Sequence, residues 1–174
     1  MIYYKKFILI FILFFSLQNN VISDIPYYLD FKYILNESDA GKKAQTYLKN
    51  KLQNGVKKLK ETEKTIQGEE KETIQQKKLI SAEEYKKKVT TLRSKVATLQ
   101  RERNKLLDDV AKQRTKARNE ILRNLNPIIK EFMQEKKIRM VVDKKSLLLA
   151  DENLDITQDI IKLLNKKIKS IKLD

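Results

Sequence analysis

The chain contains no cysteine and no histidine, and only three glycines and two prolines in 174 residues. Without thiols or imidazoles there is no disulfide framework, no thiol nucleophile, no Ser-His or Cys-His catalytic pair and no imidazole metal site. The missing cysteine also excludes a lipid-modified N-terminus. Glycine and proline together fall far below their usual share of about 12%, which argues against a chain of many short elements and for long helices. Charge is abundant instead: 38 Lys and Arg stand against 23 Asp and Glu, for a formal net charge of +15.

The chain opens with Lys5 and Lys6, an apolar run from Phe7 to Leu17, and then polar Gln18-Asn19-Asn20. That order is the tripartite form of a secretory signal. The small-residue rule is met at Val21-Ile22-Ser23, so cleavage is expected after Ser23, leaving a mature chain from Asp24 with net charge +13. A membrane anchor would need about 20 apolar residues.

Residues 24–41 read as the first part of a head domain. Ile25-Pro26-Tyr27-Tyr28-Leu29-Asp30 has strand character, and Phe31, Ile34 and Leu35 predict the start of a helix. From Lys42 to Arg118 the composition is that of solvated helix, and its spacing predicts a coiled-coil hairpin. Tyr85, Val89, Leu92, Val96, Leu99, Arg103, Leu106, Val110, Gln113 and Ala117 follow one another at alternating steps of 4 and 3. A seam of that period keeps facing a partner helix. After Ala117 the steps slip through Ile121, Leu125, Ile128 and Phe132, where the helix is expected to leave its partner. In the outgoing arm Leu48, Leu52, Val56, Leu59, Ile66 and Ile74 mark one face, with Glu63 and Glu70 interrupting it. Ser81 followed by Glu84 is a capping-box pattern, which puts a helix start at Ser81 and the hairpin tip near residues 79–81. An arm over 42–79 and an equal return from Ser81 would end at Arg118, beside the slip in spacing.

Residues 119–174 complete the head: a helix end, strands at Ile138–Asp143 and Ser146–Ala150 joined by a tight turn at Lys144-Lys145, and a C-terminal helix. Asp155-Ile156-Thr157-Gln158 offers that helix its cap, and Ile160, Ile161, Leu163, Leu164, Ile168 and Ile171 its apolar face. The fold class expected is mainly α with a small β part, a long helical hairpin projecting from a small head. So small a head is near the lower limit for an independent core, and self-association through sheet edges would relieve it.

Charge is unevenly placed: net −3 over residues 24–41, +6 over 42–80, +8 over 81–137 and +2 over 138–174. The positive field belongs to the arms and implies salt-dependent attraction for polyanions or acidic polypeptides. Lys77, Lys78, Lys86, Lys87, Lys88 and Arg93 gather near the expected tip and are the candidate contact residues for such a partner. The pairs Glu69/Glu70, Glu83/Glu84 and Asp108/Asp109 are no metal or acid–base sites, because neighbours on a helix diverge. The sequon Asn36-Glu37-Ser38 matters only in a eukaryotic secretory route. Specific nucleic-acid binding is disfavoured by the secretory signal and by arms holding only Tyr47 and Tyr85 for base stacking.

Three segments together resemble the Skp (OmpH-like) family of periplasmic chaperones: Ile25 to Gly41, the turn Leu79-Ile80-Ser81-Ala82-Glu83-Glu84-Tyr85, and Ile138-Arg139-Met140-Val141-Val142-Asp143 followed by Leu154-Asp155-Ile156-Thr157-Gln158-Asp159-Ile160-Ile161. The resemblance covers the whole mature chain. It implies a homotrimer with a β-barrel-like head and helical tentacles around a cavity. That assembly would act as an ATP-independent holdase for unfolded outer-membrane β-barrel proteins in the periplasm, with no catalysis and no cofactor. Basic arms would also make peripheral contact with anionic membrane lipid. The alternative reading is a structural or adaptor coiled-coil protein of the cell envelope.

Overall fold

The computed structural model describes residues 25–173, so the expected signal segment 1–23 lies outside the described residues. The element order is β1 (Tyr27–Leu29), α1 (Phe31–Glu37), α2 (Asp39–Gln76), α3 (Ala82–Lys136), β2 (Val141–Asp143) and α4 (Thr157–Lys167), with single 3₁₀ turns at Lys144–Ser146 and Glu152–Leu154. At 1.5 Å per residue α2 is about 57 Å long and α3 about 82 Å. The two pair as a hairpin over the length of α2, and the remainder of α3 runs on into a small body.

Local chemistry sets the helix ends. The Asp30 carboxylate accepts from the Tyr33 N–H at 2.8 Å to start α1. Ser38 closes α1 and opens α2 at once, its hydroxyl accepting from the Gly41 N–H at 3.2 Å. At the tip the Ser81 hydroxyl accepts from the Glu84 N–H while the Glu84 carboxylate accepts from the Ser81 N–H, each at 3.2 Å. This reciprocal box satisfies two of the donors that a helix start leaves without partners. α3 ends at Lys137, left-handed at φ 55, with the Ile138 N–H reaching back to the Met133 carbonyl at 2.8 Å.

The body is built from both ends of the chain. Leu29 and Ile34 meet Ile121, Leu125, Ile128 and Phe132 of α3 and Ile156, Ile160 and Leu164 around α4 in one buried cluster. The slip in spacing after Ala117 is thus the passage of α3 from arm to body, with no break in the helix at Pro127. β1 and β2 are parallel, in register Tyr27↔Val141, Tyr28↔Val142 and Leu29↔Asp143. Pro26 stands just before β1, where its missing donor removes no ladder bond.

Three expectations from the sequence are corrected. Residues 146–150 form no strand: Asp143 caps a 3₁₀ turn by accepting from the Lys145 N–H at 3.2 Å, and Leu148 and Leu149 stand 101% and 95% exposed. Among the described residues no neighbouring strand offers this segment a ladder, and an apolar run cannot be a strand alone. Secondly, α4 stops at Lys167 with Ile168 extended, so Ile168 and Ile171 belong to a tail. The tail turns back to the hairpin, where Leu173 is 4% exposed against Ala44, Leu48, Val110 and Ala117. The Lys169 ammonium holds it with a 2.8 Å ion pair to Asp39.

Thirdly, the outgoing seam does not pass through Val56 and Ile74. Thr73 is buried while Val56 and Ile74 are exposed, and Leu106 packs so closely on Gly55 that an added Cβ would meet its side chain at 2.5 Å. Alternating steps of 4 and 3 run instead through Leu48, Leu52, Gly55, Leu59, Thr62, Ile66, Glu69 and Thr73. Polar pairs replace apolar contact toward the tip: Lys95 meets Glu69 at 2.5 Å, Arg103 meets Glu63 at 3.7 Å, and Lys88 donates to Gln76 at 2.7 Å. On the returning side Val96 of the expected seam is 53% exposed. Exposed pairs of this kind are worth only about 0.2–1 kcal/mol each, so the distal arm is held less firmly than the proximal one.

Gly68 sits in that distal half with no atom within 4 Å of where a Cβ would be. Gly68→Ala should therefore stabilise α2 by about 1 kcal/mol, the propensity difference between the residues in a helix interior. Amide exchange around residues 62–76 should slow in the variant, and unchanged exchange there would show that Gly68 does not limit the arm's stability.

Candidate functional site

The capping box brings both lysine runs to one end of the molecule, since Lys77 and Lys78 leave α2 just as Lys86, Lys87 and Lys88 enter α3. They are not equivalent there. Lys77 lies 5.7 Å from the centroid of the Tyr85 ring, a cation–π distance, and Lys88 is held by Gln76. Lys78, Lys86 and Lys87 are exposed and carry no ion pair among the described residues. Arg93 is also exposed but lies further down α3, so it is not part of the tip turn. The apex itself is apolar, with Leu79 82% exposed and Ile74 60% exposed among these cations. The sequence placed Leu79 in the expected tip turn and Ile74 on the apolar face of the outgoing arm, but spacing did not show that both stand open to solvent among the ammonium groups.

A second cationic surface, absent from the sequence reading, occurs at the neck where the arms meet the body. An open groove of about 910 Å³ runs between α2 and α3, floored by Gly41, Ala44, Leu48, Val110 and Ala117 and rimmed by Lys42, Lys49, Arg114 and Arg118. Small residues make it: Ala44 and Ala117 leave the helices unfilled on this side, whereas the missing side chain of Gly41 faces the Leu35 carbonyl of α1. Lys42 is paired with Glu37 at 2.9 Å, and the hydrogen bond to that carboxylate raises its pKa above the usual lysine value. Lys49, Arg114 and Arg118 have no ion pair among the described residues. The signal available in sequence was Arg114 and Arg118 at i, i+4 flanking Ala117.

The body has its own polar cluster. Asp155 accepts from the Thr157 N–H at 2.9 Å and from the Thr157 hydroxyl, and takes an ion pair from Lys144 at 3.3 Å. Thr157 in turn accepts from the Asp30 N–H at 2.8 Å, which ties the start of α4 to the end of β1. Partial burial pushes the Asp155 carboxyl up, but the Thr157 and Lys144 bonds outweigh it and hold the pKa below the ordinary 3.8. A carboxylate with a depressed folded-state pKa contributes stability above its unfolded value and loses it as pH falls through the folded one. Thermal unfolding should therefore lose this contribution only below about pH 4. Asp155→Asn should lower the midpoint at pH 7 and flatten its fall with acid; an unchanged acid limb would exclude Asp155 as its source.

Among the described residues no cluster of Asp and Glu could hold a metal ion, and no helix is long and apolar enough to cross a membrane.

Comparison with known proteins agrees with this geometry. The family model described as outer membrane protein (OmpH-like) matches residues 27–164. No curated protein matches the sequence. The fold is that of an OmpH-like chain from Caulobacter crescentus CB15, provisionally described as an outer membrane chaperone, whose crystal structure superposes with a TM-score of 0.81 at 23% identity over 86% of this chain and 90% of that one. With the family model spanning both the hairpin and the body, the chain belongs to the OmpH-like (Skp) family.

Proposed function

We propose that the protein is an ATP-independent holdase of the periplasm that binds unfolded outer-membrane β-barrel proteins and prevents their aggregation in transit. The observation that carries this reading is the division of surface between arms and body. The arms concentrate positive charge and leave scattered apolar residues, Ile74, Leu79 and Val96, open to solvent. An unfolded chain would be held there by many weak contacts, electrostatic at long range and apolar at short range, and released without nucleotide. Lys77, Lys78, Lys86, Lys87, Lys88 and Arg93 would make the first contact with acidic clients, and with anionic lipid head groups when the arm tips approach a membrane.

Self-association as a homotrimer is part of the proposal. Met140 just before β2 and Leu148 and Leu149 a few residues after it are exposed, and pairing the free edge of β2 between copies would help to bury them and close the sheet. Equilibrium sedimentation should then give a mass three times that of the chain.

Diluting a urea-unfolded outer-membrane β-barrel protein into buffer without ATP tests the activity. A threefold excess of the exported protein should suppress the rise in light scattering. Scattering unchanged at both low and physiological salt would remove the holdase reading and favour a structural or adaptor role in the envelope.

A further inference from the structure

We propose that the neck groove between α2 and α3 is a docking site for one extended segment of an unfolded client, with apolar side chains at alternate positions and carboxylates between them. The inference rests on the holdase reading for the nature of the client and adds a defined place and chemistry to it.

The chain itself shows what this stretch of seam accepts. Ile171 and Leu173, two residues apart on the non-helical tail, pack against the cluster formed by Ala44, Leu48, Val110 and Ala117. Alternate side chains of an extended strand are spaced by about 6.8 Å and face the same way, and the neck already receives two apolar groups set two residues apart on a non-helical segment. The groove is lined by the same four residues and has no covering segment among the described residues. It runs from Gly41 to Leu52 along α2, about 17 Å by helix rise, which accommodates about five residues of strand.

Charge selects among such segments. Lys49, Arg114 and Arg118 stand on the rim of an apolar floor, where two guanidinium forks can take carboxylates in bidentate fashion. The strand of a β-barrel that faces lipid on one side and water on the other alternates apolar and polar residues, which is the pattern required. A planar lipid surface fits this concave, strand-wide neck poorly and would meet the convex arm tips first.

The test uses a fluorescein-labelled ten-residue peptide alternating Leu or Val with Glu, a counterpart with Lys in place of Glu, and the full chain expressed through its export route. Fluorescence anisotropy is compared for the wild type, for Arg114→Glu/Arg118→Glu, and for Lys60→Glu/Lys64→Glu, which changes net charge equally but on the exposed middle of α2. The neck variant should weaken binding of the acidic peptide by about tenfold or more, the mid-arm variant by less than about threefold, as expected for lost bidentate pairs as against a lost long-range field. The Lys peptide should not bind. Thr46→Trp, which fills the groove without altering its charge, should weaken binding too, and a photo-cross-linker at Gln45 should label the peptide. Equal losses in the neck and mid-arm variants, or full affinity in Thr46→Trp, would overturn the inference. So would a Gln45 cross-link to a second copy in place of peptide, since that makes the groove an interface. Light scattering in parallel separates the two readings: a wild type that suppresses client aggregation but binds no peptide loses the groove and keeps the holdase, whereas one that fails at both loses both.

Discussion

Gly41→Ala is expected to destabilise the protein by about 3 kcal/mol or more, at the upper end of the range for overpacking. A methyl group at this position would sit 2.0 Å from the Leu35 carbonyl oxygen and 3.0 Å from the Ser38 hydroxyl. Both obstacles are fixed. The Leu35 carbonyl belongs to the last turn of α1, and the Ser38 hydroxyl is engaged in capping α2 through the Gly41 N–H itself. Relief would require the two helices to part at their single-residue junction, where Ser38 is fully buried. The sign of the effect is diagnostic, because alanine ordinarily gains about 1 kcal/mol over glycine in a helix interior. Gly41→Ala and Gly68→Ala are thus the same chemical change with opposite expected outcomes in urea unfolding followed by far-ultraviolet circular dichroism. A stabilised Gly41→Ala variant would mean that α1 does not close onto α2 in solution.

Leu125→Ala should cost about 2–5 kcal/mol, the range for removing a fully buried leucine and leaving a cavity behind. Leu125 is completely excluded from solvent at the centre of the body cluster, with Ile121 and Ile128 beside it on α3 and Ile160 and Leu164 across from it on α4. Collapse around the gap is limited, because α3 is anchored on one side by the hairpin seam and on the other by the packing of Ile128 and Phe132 in the body. For a domain whose whole stability is of the order of 5–15 kcal/mol the loss is a large share. Leu79→Ser at the exposed apex, by contrast, should stay within about 0.5 kcal/mol of the parent. Unfolding midpoints in urea check both, and a Leu125→Ala loss below about 1 kcal/mol would place Leu125 outside a well-packed core.

Features decided within a few residues were legible in the sequence. The Ser81–Glu84 box, the proximal seam residues Leu48, Leu59, Leu99 and Val110, and the exit of α3 at Ala117 all follow from local spacing. The offset of the distal seam was hidden because its members are Gly55, Thr62, Glu69 and Thr73, while the conspicuous apolar residues Val56 and Ile74 lie one position further on and point outward. Hydrophobicity therefore marked the wrong stripe where pairing depends on a close approach at Gly55 and an ion pair at Glu69. The run Ser146–Ala150 was misread for a related reason: periodicity over five residues cannot say whether a partner strand exists. Of the candidate site, the cations of the tip were countable from the sequence. The neck groove was not, because it is defined by what Ala44 and Ala117 fail to fill, and a void leaves no residue to count.

The parallel pairing of Tyr27 with Val141 also constrains the order in which the molecule can assemble. β1 stays unpaired until β2, more than a hundred residues further along the chain, reaches it. Closing so long a flexible loop directly would cost about 4 kcal/mol in chain entropy beyond the constant term. The hairpin removes most of that cost. Once Leu106 has seated on Gly55 and Ala117 has met Ala44, the intervening chain is no longer a random coil, and the two ends of the body are already neighbours. The arms are therefore the scaffold on which the body closes. A fault in the proximal seam should slow refolding, whereas one at the tip should leave the refolding rate almost untouched.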